Sequence, residues 1–314
     1  MVRMRSELGG LLRRLARRSP DTSQYQDPSY FGAGRNPLDR MGLSGYERYD
    51  RATSNADVAA YLVWRWFNPA RTLDAGCALG FVVEALQELE VDAEGIELSR
   101  WAVDNSADGA RDHVRQGSLT DRLPWGDDSF DVVTSLEVLE HLEPDDVPAA
   151  IAELARVSRG WVVCTIPSFG VNDSGPDGWY QVKARDDLVA YYESLGPDFT
   201  GPLPRDHIYP DVDGEPIEGH LTMASYPWWT ARFADAGLER MGGLERLVHR
   251  DLYRFGFTKY WNLYVLRADP SAPVPKGPLI NESAAAERER TWGLDQRGPA
   301  PDDAALLEGR GILG

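Results

Sequence analysis

Small residues and two carboxylates occur at a spacing that could bind a nucleoside. Asp74 ends a short apolar run of β type, and Gly76, Ala78 and Gly80 follow it directly. Small residues in such a turn let a ligand approach the backbone. Glu97 lies about 20 residues further on, a separation at which an acidic side chain can accept both ribose hydroxyls. This pattern predicts a nucleoside-cofactor pocket at the carboxyl ends of parallel strands.

The segments around this turn alternate between strand and helix patterns. Apolar residues at helical spacing follow the turn, so a strand, a tight turn and a helix form one βα unit. We predict strands over 71–75, 93–97, 113–116, 129–135 and 159–165. We predict helices over 54–67, 79–90, 99–108, 145–157 and 226–237. This alternation is typical of a doubly wound α/β sheet.

The glycine spacing alone identifies no cofactor. Gly76-x-x-x-Gly80 differs from the Gly-x-Gly-x-x-Gly expected of a nicotinamide-dependent oxidoreductase. The order of the later segments is more specific: Gln116-Gly-Ser-Leu, then a run from Leu123 to Ser135, then Leu136-Glu-Val-Leu-Glu-His-Leu. Together with Leu73-Asp-Ala-Gly-Cys-Ala-Leu-Gly, this succession resembles the class I S-adenosylmethionine-dependent methyltransferases over about 70–268. Ala78 stands where most members of that family carry glycine.

The resemblance implies a fold and a division of the chain. It implies a mostly parallel, seven-stranded, Rossmann-like sheet whose final antiparallel pair would be 238–249 and 260–267. We divide the chain into a basic segment and aromatic arm, a methyltransferase domain with a substrate-binding insertion or lid, and a peripheral tail. Their bounds are 1–53, 54–268 with the insertion at 167–222, and 269–314. The arm either closes over the cofactor or packs against the domain for stability.

The resemblance also implies S-adenosylmethionine as cofactor and a set of residues that bind it. The glycine turn and Asp74 would hold the amino-acid end, and Glu97 the ribose. Leu98, Ser118 and Leu119 would contact the adenine, and Glu137 the methionine portion. The alternative for these polar side chains is capping or solvation. The predicted cofactor-binding residues are Asp74, Gly76, Ala78, Gly80, Glu97, Leu98, Ser118, Leu119 and Glu137.

Three histidines are candidates for catalysis. Methyl transfer requires an aligned nucleophile and, for a hydroxyl, a base that takes its proton. His141 follows the predicted fourth strand, whereas His207 and His220 lie in the insertion. His141 could equally be structural or part of the cofactor pocket. His113 and His249 lie in predicted strands, so we expect them to be structural.

We assign no metal from the sequence. The insertion carries spaced acidic residues beside His207 and His220, and sugar and catechol O-methyltransferases use magnesium to hold vicinal hydroxyls. Spaced carboxylates in an acidic protein are more often a solvated loop. The acidic residues concerned are Asp206, Asp211, Asp213, Glu215 and Glu218.

Aromatic residues alternate with acidic and hydroxyl groups in the insertion, which suits a polyhydroxylated or cyclic acceptor. We therefore expect O-methylation of a small molecule, with a sugar or sugar-bearing metabolite as our choice. The alternatives are an N- or C-methyltransferase of another small metabolite, and a catalytically inactive cofactor-binding partner subunit.

Composition limits the partners and the compartment. The 314 residues carry a formal net charge of −17, which argues against nonspecific binding to nucleic acid. The two cysteines suggest neither a disulfide framework nor a metal knuckle, so we expect a reducing cytoplasm. No apolar run is long enough to span a membrane. Arginines in residues 1–18 could contact an anionic membrane surface, but a solvated terminus is the favoured interpretation. The sequence leaves the oligomeric state open.

Overall fold

The computed structural model describes residues 28–31, 49–173, 178–179, 191, 194–196, 199–204, 219–256 and 262–298. The predictions for the arginine-rich start, for His207 and for the end of the tail lie outside these residues.

Seven of the described strands form one central sheet. The described strands are β1 (Arg71–Ala75), β2 (Asp92–Glu97), β3 (Val114–Gln116), β4 (Phe130–Leu136), β5 (Ser158–Thr165), β6 (Ser168–Gly170), β7 (Gly178–Trp179), β8 (Ala224–Ser225), β9 (Glu239–Arg240) and β10 (Leu263–Arg267). The central order is β3-β2-β1-β4-β5-β10-β9, and β7-β6-β8 form a small second sheet. The first five central strands pair in parallel, whereas β10 is antiparallel to both β5 and β9. The predicted doubly wound, mostly parallel sheet is confirmed.

Helices cover both faces of this sheet. They are α1 (Ala56–Phe67), α2 (Phe81–Glu88), α3 (Arg100–Asp104), α4 (Val147–Val157), α5 (Tyr226–Asp235), α6 (Gly242–Arg254) and α7 (Glu282–Thr291). Neighbouring residues of a strand point to opposite faces, so Val132 packs in the core with α1, α2 and α6, while Val133 packs in the core with α4 and α5. The carboxyl ends of β1, β2 and β4 therefore meet at one edge between two apolar layers. None of the described helices is long and apolar enough to cross a membrane.

The predicted strand over 238–249 is wrong. Only Glu239–Arg240 pairs with β10, through Arg240 opposite Leu266 and Glu239 opposite Arg267. The chain then enters α6, in which Leu244, Val248 and Leu252 are buried. Spacing of four residues places these side chains on one helical face. The segment predicted as a strand thus has a helical period of apolar residues.

Two smaller differences concern the edge of the sheet and the histidines. The predicted helix over 99–108 ends at Asp104, after which the amide of Ala107 donates to the carbonyl of Leu79 at 2.8 Å. That bond turns the chain back towards the glycine turn. His113 lies just before β3, and His249 lies in α6, so neither occupies a strand.

Part of the predicted peripheral tail packs against the domain. Ala285 of α7 is fully buried, and the Glu289 carboxylate accepts hydrogen bonds from the Tyr61 hydroxyl and from Arg254 at 3.0 Å. These contacts join α7 to both α1 and α6. The division of the chain into segments remains a prediction, but residues 282–291 contribute to the core.

The C-terminal helix also contacts the start of the domain. The Arg51 guanidinium lies 5.4 Å from the centre of the Trp292 ring. The same guanidinium forms ion pairs with Asp57 of α1 and with Glu84 and Glu88 of α2. Arg51 therefore links the N-terminal arm to three helices.

Candidate functional site

The turn after β1 has three residues in the left-handed region. Gly76, Ala78 and Gly80 have φ values of 86°, 48° and 75°. A Cβ on Gly76 would lie 2.5 Å from a methyl carbon of Val138, and one on Gly80 would lie 2.8 Å from Cβ of Ala110. Both glycines are therefore required by backbone conformation and packing, independently of any ligand. Ala78 adopts the same left-handed backbone conformation although it is not a glycine, and the turn is intact.

Glu97 fixes this turn from the neighbouring strand. Its carboxylate is buried at the end of β2 and accepts hydrogen bonds from the amide of Ala78 at 2.9 Å and from that of Ser99 at 2.7 Å. Burial raises the pKa of Glu97, and these amide bonds oppose the rise. The predicted ribose acceptor is thus held rigidly against the turn.

Three further amides of the turn have protein acceptors. Gly76 and Cys77 both donate to the carbonyl of Ile96, at 2.8 and 3.1 Å, and Gly80 donates to the carbonyl of Cys77 at 2.8 Å. The amides of Gly76 and Cys77 thus hold β2 against the turn, and that of Gly80 closes the turn itself.

Asp74 lies at the same end of the sheet as Glu97. Its carboxylate accepts a hydrogen bond of 2.7 Å from the Thr134 hydroxyl of β4. Burial raises the pKa of Asp74 to about 7, and the negative charge of Glu97 contributes to the rise. The two carboxylates are therefore close enough to repel each other. Carboxylates on opposite sides of one bound cation would be this close.

The residues predicted to contact adenine and methionine follow β2, β3 and β4. Leu98 follows Glu97 directly, and its carbonyl accepts from Gln116 at 3.3 Å. Ser118 follows β3, where its hydroxyl lies 2.8 Å from that of Thr120. The Leu119 side chain is buried in the core, so only its backbone could face a ligand. Glu137 follows β4 with a φ of 54°, and its amide donates to the carbonyl of Thr165.

An aromatic cover lies over the glycine turn. We use this name for Tyr30, Phe31 and Tyr49, which pack with Ala78 and with the first residues of α2 and α3. Phe31 stacks on Trp101 with ring centres 5.4 Å apart. Tyr30 makes an edge contact with His141 at 6.4 Å. The described part of the predicted arm thus lies over the site.

A short strap, residues 219–222 at the end of the insertion, holds His220 beside His141. The amides of Leu221 and Thr222 both donate to the carbonyl of Glu140 at 2.8 Å. Nδ1 of His141 lies 3.2 Å from the carbonyl oxygen of Gly219. The two imidazole rings stand 5.0 Å apart at 75°. The structure therefore brings two of the predicted catalytic histidines together.

Burial keeps this histidine pair uncharged. Desolvation lowers the pKa of His141 to about 4. The pKa of His220 is lowered well below its usual value by burial and by the proximity of His141. Each ring therefore offers an unprotonated nitrogen at neutral pH.

Glu140 was not among the predicted site residues. Its side chain is fully buried, and its Oε1 lies 4.0 Å from Nε2 of His220. A carboxylate between apolar neighbours and directly before His141 is a signal that the sequence does contain. The prediction from that stretch includes only Glu137 and His141 as site residues.

Part of this chain is similar to known methyltransferases. Residues 73–164 match the family model described as a methyltransferase domain. A ubiquinone biosynthesis O-methyltransferase of Methylococcus capsulatus is 35% identical over 99 residues, which cover 27% of this chain and 39% of that protein. Methyltransferase GfsG of Streptomyces halstedii is 28% identical over 150 residues, which cover 44% of this chain and 49% of that protein. The chain thus spans less than half the length of these two curated relatives.

Among solved structures, CalS10, an amino pentose methyltransferase from Micromonospora echinaspora, has a TM-score of 0.45 at 19% identity, over 75% of this chain and 98% of that one. At that score the likeness supports no further conclusion. This chain is thus similar to a methyltransferase domain over residues 73–164, which contain β2, β3, β4 and most of β5.

Proposed function

We propose that this protein transfers the methyl group of S-adenosylmethionine to a hydroxyl of a small molecule. One observation carries the proposal. Asp74 and Glu97 are two interacting carboxylates at the ends of adjacent parallel strands, and Glu97 is hydrogen bonded to the turn between them. Ligands of open α/β sheets bind at this edge, outside the carboxyl ends of the strands.

The cofactor fits the charges of this edge. S-adenosylmethionine carries a sulfonium and an ammonium, and a neighbouring positive charge favours the ionised form of a carboxyl. Binding would therefore lower the pKa of Asp74 from about 7. Glu97 accepts the ribose hydroxyls in this proposal, each charge-assisted hydrogen bond contributing about 1.5–3 kcal/mol. The turn and the remaining predicted residues complete the pocket: Gly76, Ala78, Gly80, Leu98, Ser118, Leu119 and Glu137.

The transfer itself requires alignment and removal of one proton. A lone pair of the acceptor oxygen forms a bond to the methyl carbon, the carbon–sulfur bond breaks, and its electron pair remains on sulfur. The hydroxyl proton passes to the unprotonated nitrogen of His141 or His220. Both rings are neutral at pH 7, because burial lowers the pKa of each. His207 remains a third candidate, outside the described residues.

For the acceptor, we propose a sugar or sugar-bearing metabolite. The aromatic residues of 167–222, which alternate with acidic and hydroxyl groups, support this choice, because aromatic faces stack on the apolar faces of sugar rings. The left-handed backbone of Ala78 preserves the turn, which counts against an inactive partner subunit.

The test is binding followed by turnover. Isothermal titration should show S-adenosylmethionine binding and no comparable binding of NAD. Incubation with panels of sugars, phenols and amines should then yield S-adenosylhomocysteine, with the sugar panel most active. Absence of S-adenosylmethionine binding would overturn the proposal, and turnover confined to amines would overturn the hydroxyl acceptor.

A further inference from the structure

We infer that Glu140, His141 and His220 bind one divalent transition-metal ion, for which zinc is the best match. The sequence led us to expect no metal, and the magnesium alternative concerned acidic residues of the insertion. This site is different, because it combines two imidazoles with one buried carboxylate. The role of the ion, to hold the acceptor oxygen, rests on the proposed function.

The geometry brings three donors to one point. Each residue offers one ligand atom, and these atoms all lie within 4.8 Å of one another. Ligands of one tetrahedral zinc ion lie about 3.3–3.6 Å apart, given bond lengths of about 2.0–2.2 Å. Side-chain rotations that shorten the largest separation by about 1.2–1.5 Å would therefore complete the site.

The surrounding hydrogen bonds orient the donors. A carbonyl oxygen can only accept, so Nδ1 of His141 carries the hydrogen in its contact with Gly219, and Nε2 carries the lone pair. Histidines that bind metal ions typically donate their other N–H to a carbonyl or carboxylate in this way. The bonds from Leu221 and Thr222 to the Glu140 carbonyl fix the strap that carries His220.

Burial also favours this chemistry. The Glu140 carboxylate is fully buried, and a cation next to it would offset the cost of that burial.

The donor types select the metal. Two imidazoles and one carboxylate suit zinc and its first-row neighbours, whereas magnesium prefers oxygen ligands alone. Three protein ligands leave a fourth position open. An acceptor hydroxyl bound there would become more acidic and would release its proton to water, which takes the place of the histidine base of the metal-free site. Its oxygen would then take the methyl group as the carbon–sulfur bond breaks towards sulfur, with both histidines serving as ligands.

The experiment measures metal binding without any methyl acceptor. The full chain is freed of metal by chelation and titrated with Zn²⁺ by calorimetry, and with Co²⁺ by visible absorption. We expect one equivalent of Zn²⁺ and the ligand-field bands of a four-coordinate Co²⁺ site. Glu140→Gln and His220→Gln should each weaken Zn²⁺ binding by at least about tenfold, since losing even a residue that only orients a ligand costs about 10–100-fold.

His113→Gln is the matched control, because His113 lies before β3 and outside the cluster. This variant should bind zinc like the wild type. Equal zinc affinity in all four proteins, or no binding by the wild type, would overturn the inference. Circular dichroism checks folding, and if a variant does not fold, the wild-type Co²⁺ spectrum decides, its absence counting against the site. S-adenosylmethionine binding without metal tests the proposed function separately.

Discussion

The Glu97 carboxylate accepts a hydrogen bond of 2.9 Å from the amide of Ala78, 19 residues earlier in the chain. A second bond, from the amide of Ser99, occupies its other oxygen. One side chain thus holds together the glycine turn, the end of β2 and the start of α3. The predicted cofactor ligand is also a structural element of its own pocket.

Replacement of Glu97 should therefore change stability as well as cofactor affinity. Glu97→Ala leaves two amides without their acceptor, each costing about 1–3 kcal/mol where it stays buried. Glu97→Gln keeps a side-chain oxygen for one amide and should be less damaging. Thermal denaturation and titration with S-adenosylmethionine measure the two effects. A Glu97→Ala protein as stable as the wild type would contradict this structural role.

The packing around Gly80 gives a second prediction. Gly80→Ala places a Cβ 2.8 Å from that of Ala110, at a φ of 75°. Gly237 has a similar φ of 82°, but no atom lies within 4 Å of the position that a Cβ would take there. Both alanine variants bear the left-handed strain, about 1–2 kcal/mol, and only Gly80→Ala adds overpacking of about 1–3 kcal/mol. Urea denaturation should show Gly80→Ala as the less stable of the two, and equal losses would refute the packing argument.

The raised pKa of Asp74 predicts a pH-dependent stability. The unfolded chain ionises Asp74 near its ordinary pKa of 3.8, whereas the folded protein keeps the proton until about pH 7. This stabilising contribution is therefore present at low pH and is lost as the pH rises from about 4 to 7. At about 1.36 kcal/mol per pKa unit, the loss is at most about 4 kcal/mol.

Asp74→Asn removes this titration and retains an oxygen that can accept from Thr134. Without cofactor, its stability relative to the wild type should increase between about pH 4 and 7 and then level off. Chemical denaturation across this range measures the difference. Parallel profiles for the two proteins would show that Asp74 does not titrate there. The variant should also bind S-adenosylmethionine more weakly.

The C-terminal helix provides a comparison of two glutamates on one element. Glu289 is buried against Tyr61 and Arg254, whereas Glu287 is exposed. Glu289→Ala leaves the Tyr61 hydroxyl and Arg254 without this acceptor and should cost about 1–3 kcal/mol. Glu287→Ala should change the free energy of unfolding by less than about 0.5 kcal/mol. Similar melting temperatures for the two variants would argue against a packed α7.

The sequence predicted the regular part of the fold well, because that part depends on local periodicity. Strand 71–75 was predicted at its observed bounds, and the doubly wound order followed from the alternation of strands and helices. The segment 238–249 was mispredicted as one strand, because only Glu239 and Arg240 pair with β10 and the residues from Gly242 onwards lie in α6. The packing of α7 could not be foreseen, since Glu289 meets its partner Tyr61 from 228 residues away.

The candidate site, like the fold, could be predicted where it depends on local sequence patterns and not where it depends on contacts between distant residues. Asp74 and Glu97 were placed together because consecutive parallel strands end at one edge. Glu140 was missed because its role depends on His220, which the strap at 219–222 brings back across the chain. The apolar neighbours of Glu140 signal a buried carboxylate, but nothing local in the sequence signals its contact with His220.

Arg51 has a consequence for movement of the aromatic cover. Its guanidinium is fastened to α1 and α2 by ion pairs and lies against Trp292 beyond α7. Tyr49 is only two residues from Arg51, so these contacts restrain the part of the aromatic cover that contains Tyr49. Movement of Tyr49 away from the glycine turn would therefore stretch the ion pairs of Arg51 with α1 and α2.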